Sequence, residues 1–491
     1  MLRSNFCFAI ILFAVSFYIT SCRDEWNDFD TSQDIVLNFS QDTVSFDTVF
    51  TTIPTVTKWI TVRNQSKKTV KISSVYIEGL RDKGWSAFRL NVDGDTSVEA
   101  KDVVVGARDS FYIFITANIK YLKDASFGIV SDNIVFQVDN NRRQSLALQA
   151  WGQNAYYHFP NAEYKFAEAG GDTQVIRYFD WNVEFGGTGG ELPVDKPHIF
   201  FGYGAISSNV VITAGARLYF ATAAGLWVRS GSLNIQGTFT NPVILTSLRQ
   251  DYDYKTMPGQ WGGIRIDAES IGNQINYAEI RNAQFGVTID SSSTAGTSGY
   301  ALEIYNTRIE NMTRYGIFSR KNFIKGVNVL VANCANGVSL VNGGGGLFFH
   351  CTFANYYSSF GSSYSLTLND HNGEVPEPFS SVEFINCIIF GKTNEQINFD
   401  LNETVSLPYL FDHCITATPV TNSKFISCLQ NDPLFVDEEK ANYEISSDKS
   451  PAYKKGNTTF SDPMAYRDIK NVQRNTPPTI GAYEYVKPVN P

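Results

Sequence analysis

Two patterns of apolar and polar positions divide the chain. From about Asp34 to Gln153, apolar residues occupy alternate positions in short runs: Ile60/Val62, Val70/Ile72, Val75/Ile77, Phe88/Leu90/Val92, Phe111/Ile113/Ile115, Ile134/Phe136/Val138 and Leu146/Leu148. A period of two places one side of a strand in a core and the other in water. Asn64-Gln65-Ser66, Asp93-Gly94 and Asp139-Asn140-Asn141 separate the runs with turn residues. Seven or eight such strands in about 120 residues predict a β-sandwich over 34–153. Residues 154–194, mixed in aromatics and ending in Gly186-Gly187-Thr188-Gly189-Gly190, read as a linker.

After residue 195 the pattern is a repeat. Ile280-Arg281-Asn282 followed by Phe285-Gly286-Val287 recurs as Ile309-Glu310-Asn311 with Tyr315-Gly316-Ile317, and again as Val331-Ala332-Asn333 with Gly337-Val338. Phe353-Ala354-Asn355 is a shortened copy, and the four asparagines are spaced by 29, 22 and 22 residues. A period near 22 with short apolar runs and a turn asparagine predicts the coils of a right-handed, single-stranded parallel β-helix over 195–430, about ten coils in all. Asn tolerates the left-handed turn and can bond its equivalent one coil away, and the glycines are expected to supply backbone conformations closed to other residues. Phe349-His350-Cys351, Ile385-Asn386-Cys387 and Asp412-His413-Cys414 share one strand-end position, with His350 and His413 expected to stack or face solvent. Loops at Asp251 to Pro258, Asp290 to Gly299 and Tyr357 to Ser380 interrupt the coils.

Composition narrows the function classes. At 491 residues and 54.8 kDa the chain exceeds one small domain, and 18% charged with 14% aromatic residues excludes wholesale disorder. A net charge of −9 with no Lys/Arg block disfavours nucleic acid as a partner. Met1-Leu2-Arg3 and the apolar run Phe6 to Ile19 have the length of a signal peptide (1–21) and are too short to span a bilayer. Of the seven cysteines, Cys334, Cys351, Cys387, Cys414 and Cys428 lie in apolar runs of the repeat and read as buried small hydrophobes, not as a disulfide framework or a metal set.

Ile19-Thr20-Ser21-Cys22 resembles the lipobox of bacterial lipoproteins, which implies acylation of Cys22 and anchorage in a membrane. Arg23-Asp24-Glu25-Trp26-Asn27-Asp28 opens an acidic tether (22–33) that resembles the Bacteroidota surface-export signal. The sandwich is similar to the broad immunoglobulin-like class of bacterial surface proteins. The repeat, Pro258-Gly259-Gln260-Trp261-Gly262-Gly263-Ile264 and His350-Cys351-Thr352-Phe353 resemble the pectate-lyase-like β-helix lipoproteins of Bacteroidota. Asp432-Pro433-Leu434-Phe435, Ser450-Pro451-Ala452 and Ile480-Gly481-Ala482-Tyr483 are similar to their terminal cap, here 431–491.

The resemblance implies an outer-membrane, cell-surface location through the lipid anchor, with a protein or glycan partner. It is silent on activity, because this fold carries lyases, hydrolases, adhesins and structural proteins. The hydrolase constellation is missing: the sequence has no Asp-Asp, no His-Gly and no Arg-Ile-Lys. A lyase needs a base and commonly calcium, and Arg265, Asp267 and Lys325 are the available candidates, scattered over coils without a shared register. Asp370 and His371, in the longest insertion, are the expected ligand-binding residues. The reading is therefore a non-enzymatic binding or scaffold protein, or an extracellular subunit of an outer-membrane complex, with no cofactor and no metal. The alternative is a calcium-assisted polysaccharide lyase-like enzyme or glycan-binding protein.

Overall fold

The computed structural model describes residues 29–487 except 33–34, 124, 140–141, 168–172, 188, 252–253, 291–298, 357–363, 380, 403–408, 420–421 and 460–461. The signal segment, Cys22 and most of the acidic tether lie outside the described residues. The chain divides into two compact units, 1–155 and 156–491.

The first unit is an all-β, immunoglobulin-like sandwich. Leu37–Phe39, Lys58–Asn64, Ser110–Ala117 and Phe88–Val92 form one antiparallel sheet, and Thr43–Phe50, Arg143–Gln153, Phe127–Val138, Val70–Ile77 and Glu99–Val105 form the other. Within the second sheet Thr43–Phe50 runs parallel to Arg143–Gln153, with a bulge between Phe46 and Thr48. The alternation dictates the packing. Ile60, Val62, Ile72, Phe88, Ile113, Ile115, Ile134, Phe136, Leu146 and Leu148 all point into the core, and Leu90 packs at its margin.

The second unit is a parallel β-helix with three faces. Each full coil supplies, in turn, a strand of a first face (such as Tyr315–Arg320), a second (Phe323–Val327) and a third (Leu330–Ala332). On the third face ten strands are stacked in parallel, from Tyr156–His158 to Ile415–Thr416. Apolar residues in register line the interior, as along Leu226, Ile264, Val287, Ile317, Val338, Leu366 and Ile397 of the first face. Stacked rings continue the same logic: Phe348, Phe384, Phe411 and Phe425 follow one another at 5.0, 4.8 and 4.5 Å. Phe220 lies 4.3 Å from Trp261, whose indole donates to the Arg281 carbonyl.

The corners explain the repeat asparagines. Asn282, Asn311 and Asn333 all have left-handed φ (65°, 63° and 52°), and Asn311 Nδ2 donates to Asn282 Oδ1 one coil below at 3.2 Å. Asn355 lacks this conformation and remains within the strand Thr352–Asn355. At the preceding corner Tyr277, Asn306, Asn328, His350, Asn386 and His413 share φ of 47–58°. The repeat glycines serve a different need from the one expected. Gly286, Gly316 and Gly337 have no positive φ; a Cβ would fall 2.3 Å from the Gly316 carbonyl, from Val331 Cγ1 and from the Ser365 carbonyl, respectively. Close approach, not φ, excludes larger residues there.

One boundary differs from those drawn on the sequence. The stretch 156–194 is part of the second unit: Tyr156–His158 pairs with His198–Phe200, and the hairpin Ala162–Ala167/Thr173–Asp180 leads into the first face. The C-terminal segment packs Phe435, Tyr443, Ile445, Ile469, Ile480 and Tyr483 on the outer side of the third face, against Leu330, Ala332, Ala354, Ile388 and Ile415. Arg474 pins it, donating to Asn328 Oδ1 at 2.7 Å and to the Gly481 carbonyl at 3.1 Å, with Glu484 3.7 Å away.

Candidate functional site

Strand alternation leaves one set of side chains on the outside of the first face. In register these are Trp227, Arg265, Thr288, Phe318, Ser339, Thr367 and Asn398. The next outward positions are Asp267, Asp290, Arg320, Val341, Asn369 and Asp400. Arg265 and Asp267, set apart in sequence from any obvious partner, thus meet in a network. Arg265 Nε donates to Asp267 Oδ1 at 2.8 Å and its Nη2 to Asp290 Oδ2 at 3.0 Å. Trp227 Nε1 donates to Asp267 Oδ2 at 2.8 Å, and Arg320 lies 3.7 Å from Asp290. The shared register that the sequence reading denied to the charged residues exists here, because the coil lengths differ while the strand stacking does not.

Lys325 does not join them. It stands on the second face, where its ammonium pairs with Asp462 and lies 5.5 and 5.6 Å from the Tyr300 and Tyr305 rings. Arg265 cannot replace it as a base. Burial opposes its charge, but the hydrogen bond that it donates to Asp267 and the nearby Asp290 outweigh that and raise its pKa above the ordinary arginine value.

Asp370 and His371 follow the first-face strand Leu366–Asn369 and part company. Asp370 is fully buried; its Oδ1 accepts from the Asn402 amide at 2.7 Å, and its Oδ2 has no partner among the described residues. His371 opens on a cleft of about 770 Å³. Its Nε2 lies 3.1 Å from Asp400 Oδ1, while Asn369 Nδ2 donates to Asp400 Oδ2 at 2.8 Å. Phe318, Arg320, Val341 and Thr367 lie along the floor, and Lys321, held to Glu377 at 2.8 Å, closes one side. The cleft offers paired donors and acceptors around one aromatic ring, an arrangement suited to gripping a polar ligand.

The other histidines are structural or were missed. His350 is fully buried, not stacked on the surface: Asn386 Nδ2 lies 3.1 Å from its Nε2, and burial depresses its pKa well below the usual value. His413 is partly exposed beside Asp412 at 2.5 Å. His158 and His198 meet at 2.9 Å, and His158 Nδ1 is 2.7 Å from Glu184. Residues 26 and 40 positions apart in a stretch without repeats give no sequence signal of this. Cys351, Cys387, Cys414 and Cys428 stack as free thiols, with the Cys351 amide 3.4 Å from Cys387 Sγ. Burial pushes the Cys387 and Cys414 thiols well up and that of Cys334 to about 12.

Calcium does not fit the candidate lyase residues. Asp267 and Asp290 spend their oxygens on Arg265, Arg320 and Trp227, and among the described residues no group of three or more His, Cys, Asp or Glu is placed to hold a metal ion. Among the same residues, no helix is long and apolar enough to cross a membrane.

No protein-family model matches the chain, and no curated protein matches it either. Among solved structures it is similar to the PapD-like domain 7 of human CEP192, with 13% identity over 24% of this chain and 84% of that one and a TM-score of 0.17. A family 123 glycoside hydrolase from Clostridium perfringens gives 9% identity over 26% and 31%, TM-score 0.17. The Salmonella enterica SafA pilin with its SafB chaperone gives 9% over 30% and 70%, TM-score 0.18. Likenesses of this size carry no argument about activity.

Proposed function

We propose that the chain is a surface-exposed outer-membrane lipoprotein of the Bacteroidota β-helix kind, similar to the pectate-lyase-like superfamily. It is anchored by acyl chains on Cys22 and works by binding or scaffolding, as an extracellular subunit of an outer-membrane protein complex. The anchor and the location rest on the sequence around Cys22. The absence of catalysis rests on one observation above others. The charged groups on the outside of the first face neutralise one another, with Arg265 clamped by Asp267 and Asp290, and Lys325 stands on another face paired with Asp462. Elimination next to a uronate needs a base free to take a proton and a charge free to meet the carboxylate. The cleft at His371 is the site where the partner would bind.

Four measurements test this reading. Cys22→Ala should move the protein from the membrane to the soluble fraction, and protease added to intact cells should remove the wild type. Affinity purification from solubilised outer membrane should recover a partner whose retention falls in His371→Ala. If purified protein with calcium generates unsaturated uronide absorbance from pectin or alginate, and Arg265→Gln abolishes it, the lyase alternative replaces this one.

A further inference from the structure

In the sandwich, alternate positions of Lys58–Asn64 and Ser110–Ala117 send Ile60, Val62, Ile113 and Ile115 into the core. The opposite side of the same strands carries Trp59, Tyr112 and Phe114, which are 56%, 51% and 42% exposed. Trp59 faces Phe114 in register, Thr61 faces Tyr112, and Asn91 flanks Phe114 from the third strand. Trp59 and Tyr112 meet edge to face at 5.5 Å, and the Tyr112 and Phe114 rings lie 6.4 Å apart, inclined by 28°. Diagonal cross-strand pairing sets Trp59 against Tyr112 and steadies the sheet. It does not account for Phe114 beside them, which completes a three-ring cluster left in water.

Charge on this face is distributed unlike that of the chain as a whole, whose net charge is −9. One row beyond Thr61 and Tyr112 stands Arg63, exposed and without an ion pair among the described residues. Beyond Phe114, in the row of Thr116, stands Arg89, whose guanidinium donates, among the described residues, only to the carbonyls of Ser86 and Phe88, at 2.9 and 2.7 Å. Asp93, whose amide donates to the Tyr112 carbonyl, and Asp109, whose carbonyl accepts from the Asn64 amide beside Arg63, are acids at the border. The rows from Arg63 to Arg89 span roughly 20 Å at strand spacing, with all three rings between the two cations.

We propose that this face of the four-stranded sheet binds an acidic polysaccharide. The C–H faces of successive sugar rings lie on the negative faces of Trp59, Tyr112 and Phe114, and carboxylate or sulfate groups meet Arg63 and Arg89. Thr61, Asn91 and Thr116 stand between them as hydroxyl partners.

The full chain is titrated with polygalacturonate, alginate and heparin, with neutral amylose as the comparison, by affinity electrophoresis and calorimetry. At least one acidic polymer should be retained in preference to amylose, with affinity that falls as salt rises. Trp59→Ala with Tyr112→Ala should weaken retention by about tenfold while circular dichroism stays as in the wild type and melting falls only slightly, since both side chains point away from the core. Arg63→Gln with Arg89→Gln should remove the preference over amylose, and His371→Ala should leave it intact. The proposal is overturned if no acidic polymer is retained, if the aromatic variant binds like the wild type, or if that variant only converts a dimer to a monomer in sedimentation.

Discussion

His158 Nε2 and His198 Nδ1 share a hydrogen bond of 2.9 Å, and its direction is fixed by what lies on either side. His198 Nε2 is 2.7 Å from the Pro193 carbonyl, so that nitrogen carries the proton. Burial lowers the pKa of His198 to about 4, which leaves its Nδ1 bare and makes His158 the donor. His158 Nδ1 then faces Glu184 at 2.7 Å, a contact that requires a proton between them. Burial lowers the pKa of His158, and Glu184 opposes that lowering.

The first expected outcome concerns pH. His198 stays neutral in the fold down to about pH 4, whereas the unfolded side chain takes up a proton below about pH 6.5. Stability of the second unit should therefore be present above pH 6.5 and be lost as pH falls towards 4, by roughly 3 kcal/mol for this residue. Asp195 and Arg217 also bear on His198, from the preceding loop and the next strand. Denaturant melts at pH 7, 6, 5 and 4.5 measure the loss, and His198→Gln should flatten it. An identical slope in the variant would contradict the assignment.

Gly316→Ala should destabilise the β-helix by about 1–3 kcal/mol, because the added methyl lands 2.3 Å from Val331 Cγ1 and 2.9 Å from the Gly337 carbonyl. Gly128→Ala in the sandwich, with 3.6 Å to its nearest neighbour, serves as the comparison and should change little. Differential scanning calorimetry reads both.

Arg474→Met should loosen the C-terminal segment. The guanidinium is buried with Asn328, Glu484 and the carbonyls of Thr479, Gly481 and Ala482, and its removal leaves Glu484 without its cation. Breaking such a pair on one side costs about 3–5 kcal/mol. Limited proteolysis should cut within 432–487 faster than in the wild type, and adding Glu484→Gln should recover part of the resistance.

The core thiols should resist modification. Cys387 and Cys414 are fully buried with raised pKa values; the Cys428 thiol is raised too, by its hydrogen bond with Cys414 and by burial, but as the one partly exposed it is the first expected to react with an aromatic disulfide reagent. Cys334, Cys351, Cys387 and Cys414, all buried, should react only on unfolding. Fast native labelling of Cys387, or a disulfide found by mass spectrometry, would refute this.

What could be read from the sequence follows from how local each cause is. Alternation along Phe111, Ile113 and Ile115 reports burial directly, so the sandwich core was legible. Asn282, Asn311 and Asn333 mark equivalent corners because each coil meets the same turn. The strand Thr43–Phe50 was missed because its polar residues and bulge blur the period. The meeting of Arg265 with Asp290 was missed for another reason: coils of unequal length hide a register that only strand stacking creates. The exposed aromatics Trp59, Tyr112 and Phe114 sit at the polar phase of an alternating pattern, where apolar residues draw no attention when only the buried phase is followed.

The pinning of the C-terminal segment has a consequence for the order of events in folding. Contacts in a coil array link neighbours, yet Tyr443 bonds Asn333, Asn457 bonds Asn386 and Arg474 bonds Asn328, across 110, 71 and 146 residues. Early coils can stack on one another before the C-terminal segment arrives, but the outer side of the third face stays bare until that segment docks. The apolar surface of Leu330, Ala332, Ala354 and Ile388 is thus the last to be hidden. A chain truncated before residue 435 would be already coiled and still sticky.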